Sequence, residues 1–381
     1  MDRKSMRRKV CILTSAYYVF DGKIFHRHAR SLVKAGYDVI LIAQHDRDEI
    51  IDGVRIVALP KHKNRFQRIT STTLRSLLVA MRQKADVYHL HNPELLPVGV
   101  LLKLFTRGRI ISDIHEDYPR HIMLKDWIPS HLRRISSLLL ERLEMVTAKY
   151  FDAVTTPTDP LTDRFRCAKR KVTLYNFPLL GLFKSPGERI AGPNLEFDII
   201  HIGSISQPRL SFMFDVGLEL KRGGYDFKWC LLGTPPEIIR WSGSILDRYG
   251  LKDNFVLLGQ VPHTEVVGYL NRSKVGINHH PPQQRFLVAI PIKLFEYMAC
   301  SLPVVSSDLP LVRRFVKDQD CAILVRPDDV GEFAAAIGFL LDNPEKARSM
   351  GSRGRYLVEN VYNWACEERK LLGLYSSVIN R

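Results

Sequence analysis

The stretch Pro291 to Pro310, PIKLFEYMACSLPVVSSDLP, reads as a turn, a short helix, a sharp corner, a buried strand and a polar loop. Pro291 suits a helix start, where its missing N–H is not needed. Leu294, Phe295 and Met298 give the helix an apolar side. Glu296 lies among them. Burying an unpaired carboxylate is costly, so Glu296 needs a partner, and a ligand hydroxyl is one candidate. Leu302 to Val305 is a β-prone run followed by Ser306, Ser307 and Asp308. Helix, corner and buried strand in this order form one unit of a parallel α/β sheet.

The same rhythm recurs on both sides of this stretch. In the first half, apolar runs at 9–14, 37–43, 54–59, 86–91, 109–115, 153–156 and 171–175 alternate with helical segments. In the second half, runs at 197–203, 227–233, 255–259, 275–279 and 322–325 do so again. Between them, residues 179–195 hold two Pro and three Gly with weak periodicity, which marks a boundary. The expectation is an α/β protein of two Rossmann-like, doubly wound domains facing a central cleft: residues 1–180, a 181–195 linker, and 196–365. A C-terminal helix over 366–381 is expected to pack back on the first domain. At 381 residues the chain exceeds the size at which one core keeps growing.

Composition narrows the class. No apolar run approaches the ~18 residues of a membrane span. The basic N-terminus precedes only CILTSAYYVF, which reads as a first strand, not as a signal peptide. The six cysteines are scattered without a CxxC pair, which fits free thiols in a reducing cytosol. The net charge of +16 is uneven: residues 1–180 carry 32 Lys and Arg against 18 Asp and Glu, and residues 181–381 carry 24 against 22. A basic first half suits an anionic membrane surface, and the basic amphipathic stretch at 61–84 is its best candidate. The long helical region near 129–149 reads as core-facing instead. No nucleic-acid motif accompanies the charge, so nucleic acid is not an expected partner. Adjacent His279 and His280 point apart on a strand, so they do not suggest a metal.

In open parallel sheets, ligands bind outside the carboxyl ends of the strands. The loops there hold Asp21-Gly22-Lys23, His91 to Glu94 and His115-Glu116-Asp117 in the first half. In the second they hold Gly203-Ser204 through Arg209, Gln260 to His263, and Pro291 to Glu296. Arg209 and Lys293 lie at helix starts, where a cation and free N–H groups suit phosphate. Glu296 then suits paired hydroxyls such as a ribose diol. The plainer alternatives are solvated loop cations and a salt-bridged helix residue.

With IPIKLFEYMACSLPVVSSDLP, GSISQPRL, LLGQVPHTEVVGYLNRSKVGI, DVYHLHNPELLP and IISDIHEDYP in this order, the chain resembles the retaining glycosyltransferases of family 4, of GT-B fold and bacterial polysaccharide type. The resemblance covers nearly the whole chain. It implies a nucleotide-sugar donor in the C-terminal domain and a glycan or lipid-linked acceptor in the N-terminal one. Transfer would retain anomeric configuration and need neither metal nor cofactor. By position, Glu296 matches the ribose-binding glutamate, Arg209 a diphosphate-binding cation, and Lys293 is placed to be a second. Gly203, Ser204 and Leu294 belong to the same donor motifs. Val261 matches a backbone contact to the base, and His115 a catalytic histidine facing the donor sugar. His91 and Glu94 occupy the HNPE loop, while Asp21, Gly22, Lys23 and His26 resemble the first acceptor and donor loop. The family's other glutamate falls on Val288, and its usual turn glycine on Ser301. The implied setting is cytoplasmic, peripheral to the inner face of a membrane, in surface polysaccharide biosynthesis. The loss at Val288 leaves two alternatives open: a nucleotide-sugar 2-epimerase of the same architecture, or a non-catalytic nucleotide-sugar-binding subunit.

Overall fold

The computed structural model describes residues 7–125, 127–183 and 195–380, so most of the expected 181–195 linker lies outside the described residues. The chain divides into two compact units. One comprises Met1–Asn176 with Ala365–Arg381, the other Phe177–Trp364.

The first unit is built on eight strands: β1 (Lys9–Tyr18), β2 (Asp38–Gln44), β3 (Glu49–Ile51), β4 (Val54–Leu59), β5 (Val87–Leu90), β6 (Arg109–Asp113), β7 (Ala153–Thr156) and β8 (Lys171–Thr173). Their order in the sheet is β3-β4-β2-β1-β5-β6-β7-β8. The short β3 escapes the sequence reading because its three residues pair antiparallel with β4 as a simple return. The others read correctly because strands buried on both faces are continuous apolar runs. Cys11, Leu13, Ile40, Ile42, Tyr88, Leu90 and Ile110 line one core beneath the Thr73–Gln83 and Leu96–Phe105 helices. Gly99 lets the second of these helices approach closely, since a Cβ there would lie 2.4 Å from Leu90 and 2.7 Å from Phe151.

The C-terminal Trp364–Ile379 helix joins this unit through residues 365 onward. The Tyr375 hydroxyl lies 2.8 Å from His89 Nδ1, and Glu367 accepts from the Tyr175 N–H at 3.1 Å.

The second unit has six parallel strands: β9 (Phe197–Ile202), β10 (Trp229–Leu232), β11 (Phe255–Leu258), β12 (Ser273–Asn278), β13 (Val304–Ser307) and β14 (Ala322–Val325). Their order is β11-β10-β9-β12-β13-β14. Both sheets therefore reverse direction of strand addition near their centres. The switch falls between β1 and β5 in the first, and between β9 and β12 in the second. These are the places where an open α/β sheet leaves a crevice at its carboxyl ends.

Two readings of the sequence need correction. The strand after the corner begins at Val304 and includes Ser306 and Ser307, which are buried and hydrogen-bonded rather than part of a loop. The Ser130–Tyr150 helix is not simply core-facing. Only Glu144, Thr147 and Ala148 are fully buried along it, while Ile135, Leu138, Leu139 and Val146 are exposed.

Between the Ile292–Ala299 helix and β13 the chain turns at Ser301, whose φ of +54° is left-handed. The Pro344–Asn360 helix fits against this corner, and a Cβ on Gly351 would lie 2.0 Å from the Ser301 carbonyl oxygen. Backbone oxygen cannot rotate away as a side chain can. Gly351→Ala is expected to destabilise the second unit by ~1–3 kcal/mol, the usual range for overpacking. Urea titration of the variant checks this; an unchanged midpoint contradicts the tight corner.

Candidate active site

At the switch point of the first sheet, one buried carboxylate gathers the polar groups. Asp113 ends β6 and is 1% exposed. Lys23 Nζ donates to its Oδ1 at 2.9 Å and lies 2.8 Å from its Oδ2. Thr155 Oγ1, from β7, donates to Oδ1 at 2.9 Å. His91 Nδ1 and His115 Nε2 approach Oδ2 at 2.9 and 3.1 Å, and stand 3.1 Å from each other. Burial alone would raise the Asp113 pKa. The Lys23 ammonium and the histidines outweigh it and hold the carboxyl well below its usual range. His115 stacks on Tyr17 with centroids 4.9 Å apart, and burial followed by Lys23 pushes its pKa down to about 4. It is neutral at pH 7.

The expected residues separate here. Lys23, His91 and His115 come together. Asp21 supports them indirectly: its Oδ1 accepts from the Lys23 and Ile24 N–H groups at 2.8 and 2.9 Å and starts the Ile24–Ala29 turn, a π-helical segment. Gly22 is exposed and its carbonyl accepts from Arg27 at 2.8 Å. His26 stands beside Arg27, Arg30 and Asp52, apart from Asp113. The wide turn brings His28 inward in its place, against His89 and His91. Glu94 accepts from Ser15 Oγ at 2.8 Å and lies 3.0 Å from Arg68 Nε.

Asp113, His28 and His89 were not singled out from the sequence. An isolated Asp in RIISDIH looks like any strand end, and its partners Lys23 and Thr155 lie 90 and 42 residues away. Ligand atoms of His28, His89, His91 and Asp113 lie within 4.8 Å of one another, a spacing a metal could use. The Lys23 ammonium already touches both Asp113 oxygens, and its charge opposes a second cation there.

The second sheet presents cations instead. Gly203, just after β9, has φ +93°, and Gly233 after β10 also has φ +93°. A Cβ on Gly233 would lie 3.2 Å from the Gly203 carbonyl carbon, so two bare backbones abut at this edge. Ser204 is exposed beside Gly203. Arg209, in the first turn of the Gln207–Arg222 helix, spans the switch point. Its Nη2 donates to the His279 carbonyl at 2.6 Å and its Nη1 to the Ser204 carbonyl at 3.3 Å. His279, flat on Phe212 at 4.0 Å, is pushed down to about 3 by burial and then by Arg209.

His201 Nδ1 donates to the Ile277 carbonyl at 3.1 Å, so its Nε2 lone pair accepts from Lys293 Nζ at 3.2 Å. That ammonium lies 3.9 Å from the point a Gly203 Cβ would occupy. Burial, then Arg209, pushes the Lys293 pKa well down, while Glu296 opposes them. Glu296 is half-buried one turn further along the same helix. Leu294 puts its side chain in the core and its N–H on the Pro291 carbonyl at 3.1 Å. Val261 is half-buried after β11, and Val288 follows the short Gln284–Leu287 helix.

Two family models match these units. Residues 22–177 match Glycosyltransferase Family 4, and residues 196–343 match Glycosyl transferases group 1. The chain belongs to the GT-B glycosyltransferases. It is 23% identical over 303 residues to the phosphatidyl-myo-inositol mannosyltransferase of Mycobacterium leprae, covering 77% of this chain and 74% of that one. A shorter match to the MMP alpha-(1->4)-mannosyltransferase of Mycolicibacterium hassiacum is 36% identical over 87 residues, spanning 23% of this chain and about a fifth (21%) of that one. Among solved structures, the glycosyltransferase superposes on sucrose-phosphate synthase of Thermosynechococcus elongatus with TM-score 0.75 at 18% identity, covering 98% of this chain and all of the other. It superposes on Anabaena HepE, solved in complex with UDP-glucose, with TM-score 0.70 at 13% identity, covering 97% of this chain and 99% of that one.

The buried histidines of the glycosyltransferase set its response to acid. His115 and His279 have folded pKa values near 4 and 3, below the 6.5 of an exposed histidine. Below pH 6.5 the unfolded chain therefore binds protons that the folded chain does not, and stability falls as pH is lowered from 6.5 towards 4. The expected loss is on the order of 1–2 kcal/mol per histidine by pH 5. Urea midpoints at pH 7 and pH 5 measure it, and His115→Gln should flatten part of the slope.

Proposed function

We propose that this chain is a retaining glycosyltransferase that moves a sugar from a nucleoside diphosphate donor to a glycan or lipid-linked glycan acceptor. The reading rests on one observation above others. Gly203, Arg209, Lys293 and Glu296 converge at the switch point of the second sheet. Two crowded cations beside a bare glycine turn gain most from a bound anion, and a diphosphate supplies two phosphoryl groups. A carboxylate one turn beyond fits the adjoining ribose hydroxyls. The solved Anabaena relative, with UDP-glucose bound, supports a nucleotide-sugar donor of this kind. The M. leprae relative, named for a phosphatidyl-inositol acceptor, supports a lipid-linked one.

In the reaction proposed, an acceptor hydroxyl forms the new bond to the anomeric carbon as the bond from that carbon to the diphosphate breaks. Attack occurs on the face the diphosphate leaves, and the leaving phosphate takes the hydroxyl proton. Arg209 and Lys293 stabilise the charge developing on the diphosphate. His115, neutral at working pH, can offer a substrate a hydrogen bond but no charge. Its Nε2 is engaged at Asp113, which leaves Nδ1 as the atom able to make that bond. The acceptor, we infer, belongs to surface polysaccharide assembly at the cytoplasmic face of a membrane. The uneven basic charge supports that setting.

Two substitutions separate the roles. Glu296→Ala is expected to raise the donor KM by about 10–100-fold, the range for losing hydrogen bonds to a charged group. Lys293→Met should lower kcat by roughly 10²–10³-fold, as loss of a transition-state charge contact does. Both are read in a nucleoside-diphosphate release assay with a nucleotide-sugar panel. Proton NMR of the product should show the donor's anomeric configuration. Unchanged kinetics in both variants, or an inverted anomer, contradicts the assignment.

A further inference from the structure

The outward side of the first unit's helix layer combines two features that a water-facing surface seldom combines. The Leu96–Phe105 helix packs against both the Thr73–Gln83 helix and the Ser130–Tyr150 helix, so the three lie side by side. In the Thr73–Gln83 helix, Leu77 and Ala80 point into the core, while Leu74 and Leu78, one turn apart, are 57% and 51% exposed. In the third, Glu144, Thr147 and Ala148 face inward. Its opposite side carries Leu132, Ile135, Leu139 and Val146 at spacings of three, four and seven, all exposed. Arg142 and Lys149 continue the same line, also exposed. The helix therefore has apolar residues on both sides, and only one of them is used for packing.

The charge around these residues is mainly positive: Glu141 is the exposed acid on the 130–150 helix, against Arg142 and Lys149. Residues 61–85 hold seven Lys and Arg and no Asp or Glu. Arg65 lies 4.8 Å over the ring of Trp127, just before the 130–150 helix, which ties the two basic-apolar segments together. Exposed apolar patches of this breadth mark interaction sites.

We propose that this face docks on the surface of an anionic lipid bilayer. Leucine, isoleucine and valine side chains would enter the headgroup boundary, while arginine and lysine stay at the level of the phosphates. The charge pattern favours this occupant. A second copy of the chain meeting the same face would set cations against cations, since a two-fold contact brings a patch against itself. A protein partner's interface core is depleted of charge, whereas here the cations are interspersed among the apolar residues. No helix among the described residues is long and apolar enough to cross a membrane, so the association is with the surface. The proposal deepens the membrane-side reading of the acceptor, and its test is separate from transfer.

The test is flotation of the full chain with phosphatidylcholine vesicles, with and without phosphatidylglycerol, at low and high salt. Expected is binding to the phosphatidylglycerol vesicles at low salt, lost at high salt and absent with phosphatidylcholine alone. The double variant I135S/L139S should bind at least about tenfold more weakly, since it removes two apolar insertions. Both positions are exposed, so its thermal midpoint and its turnover with a water-soluble acceptor should match the parent. Equal binding of parent and variant, equal binding to both lipid compositions, or no flotation at low salt overturns the proposal. So does a dimer, seen by light scattering, that I135S/L139S dissociates without changing flotation. A chain that floats as expected yet consumes no donor leaves the docking surface standing and defeats the transfer reading alone.

Discussion

A carboxylate buried at the end of β6 sets the terms for the first unit. Asp113 is almost wholly removed from water, and an isolated ion there would be very costly. Four neighbours make the position tolerable, and they come from different parts of the chain: Lys23 from the loop after β1, His91 after β5, His115 after β6, and Thr155 on β7. Each follows a parallel strand or lies near its carboxyl end. The polar cluster and the sheet topology are thus one arrangement. A sheet with apolar faces has only its strand ends at which to hold such groups, and the switch between β1 and β5 brings those ends together. Removing one partner leaves buried charge uncompensated, which makes the cluster rigid as well as polar.

The second unit instead brings two cations close together at its switch point, with Glu296 a turn beyond. Arg209 and Lys293 repel each other, and their neighbours include carbonyls and a neutral imidazole. The His201 tautomer is fixed by its bond to the Ile277 carbonyl, so the ring can only accept from Lys293. The two units therefore differ in kind. One gathers cations and imidazoles around a buried carboxylate, and the other crowds two cations beside a bare glycine turn. That difference matches a scheme in which the donor's diphosphate belongs to the second unit and neutral hydroxyl chemistry to the first.

How much of this was legible in the sequence depended on the range of the interaction. The strands were legible because burial on both faces writes a continuous apolar run. Lys293 and Glu296 were legible because both lie on one short helix, within a turn of each other. Asp113 was not, because the ammonium and hydroxyl that hold it, Lys23 and Thr155, lie 90 and 42 residues away. His28 was missed for a geometric reason. Its turn is π-helical, and periodicity arguments assume 3.6 residues per turn. The widened turn carries His28 inward and leaves His26 among surface charges.

The 130–150 helix shows a different limit. Periodicity reports that apolar residues share a side of a helix, but not what that side touches. Here Leu132, Ile135, Leu139 and Val146 recur as a core-facing stripe would. The core is instead met by the opposite side, where Ser137 donates to the Pro119 carbonyl at 2.8 Å and Glu144 lies 3.3 Å from Arg164. A buried side can be partly polar where hydrogen bonds satisfy it, and an exposed side can be apolar where a non-aqueous phase will meet it. The deciding information was the excess of cations over acids beside the exposed stripe. A packed core has little use for a row of arginines and lysines, and a phosphate-rich surface does.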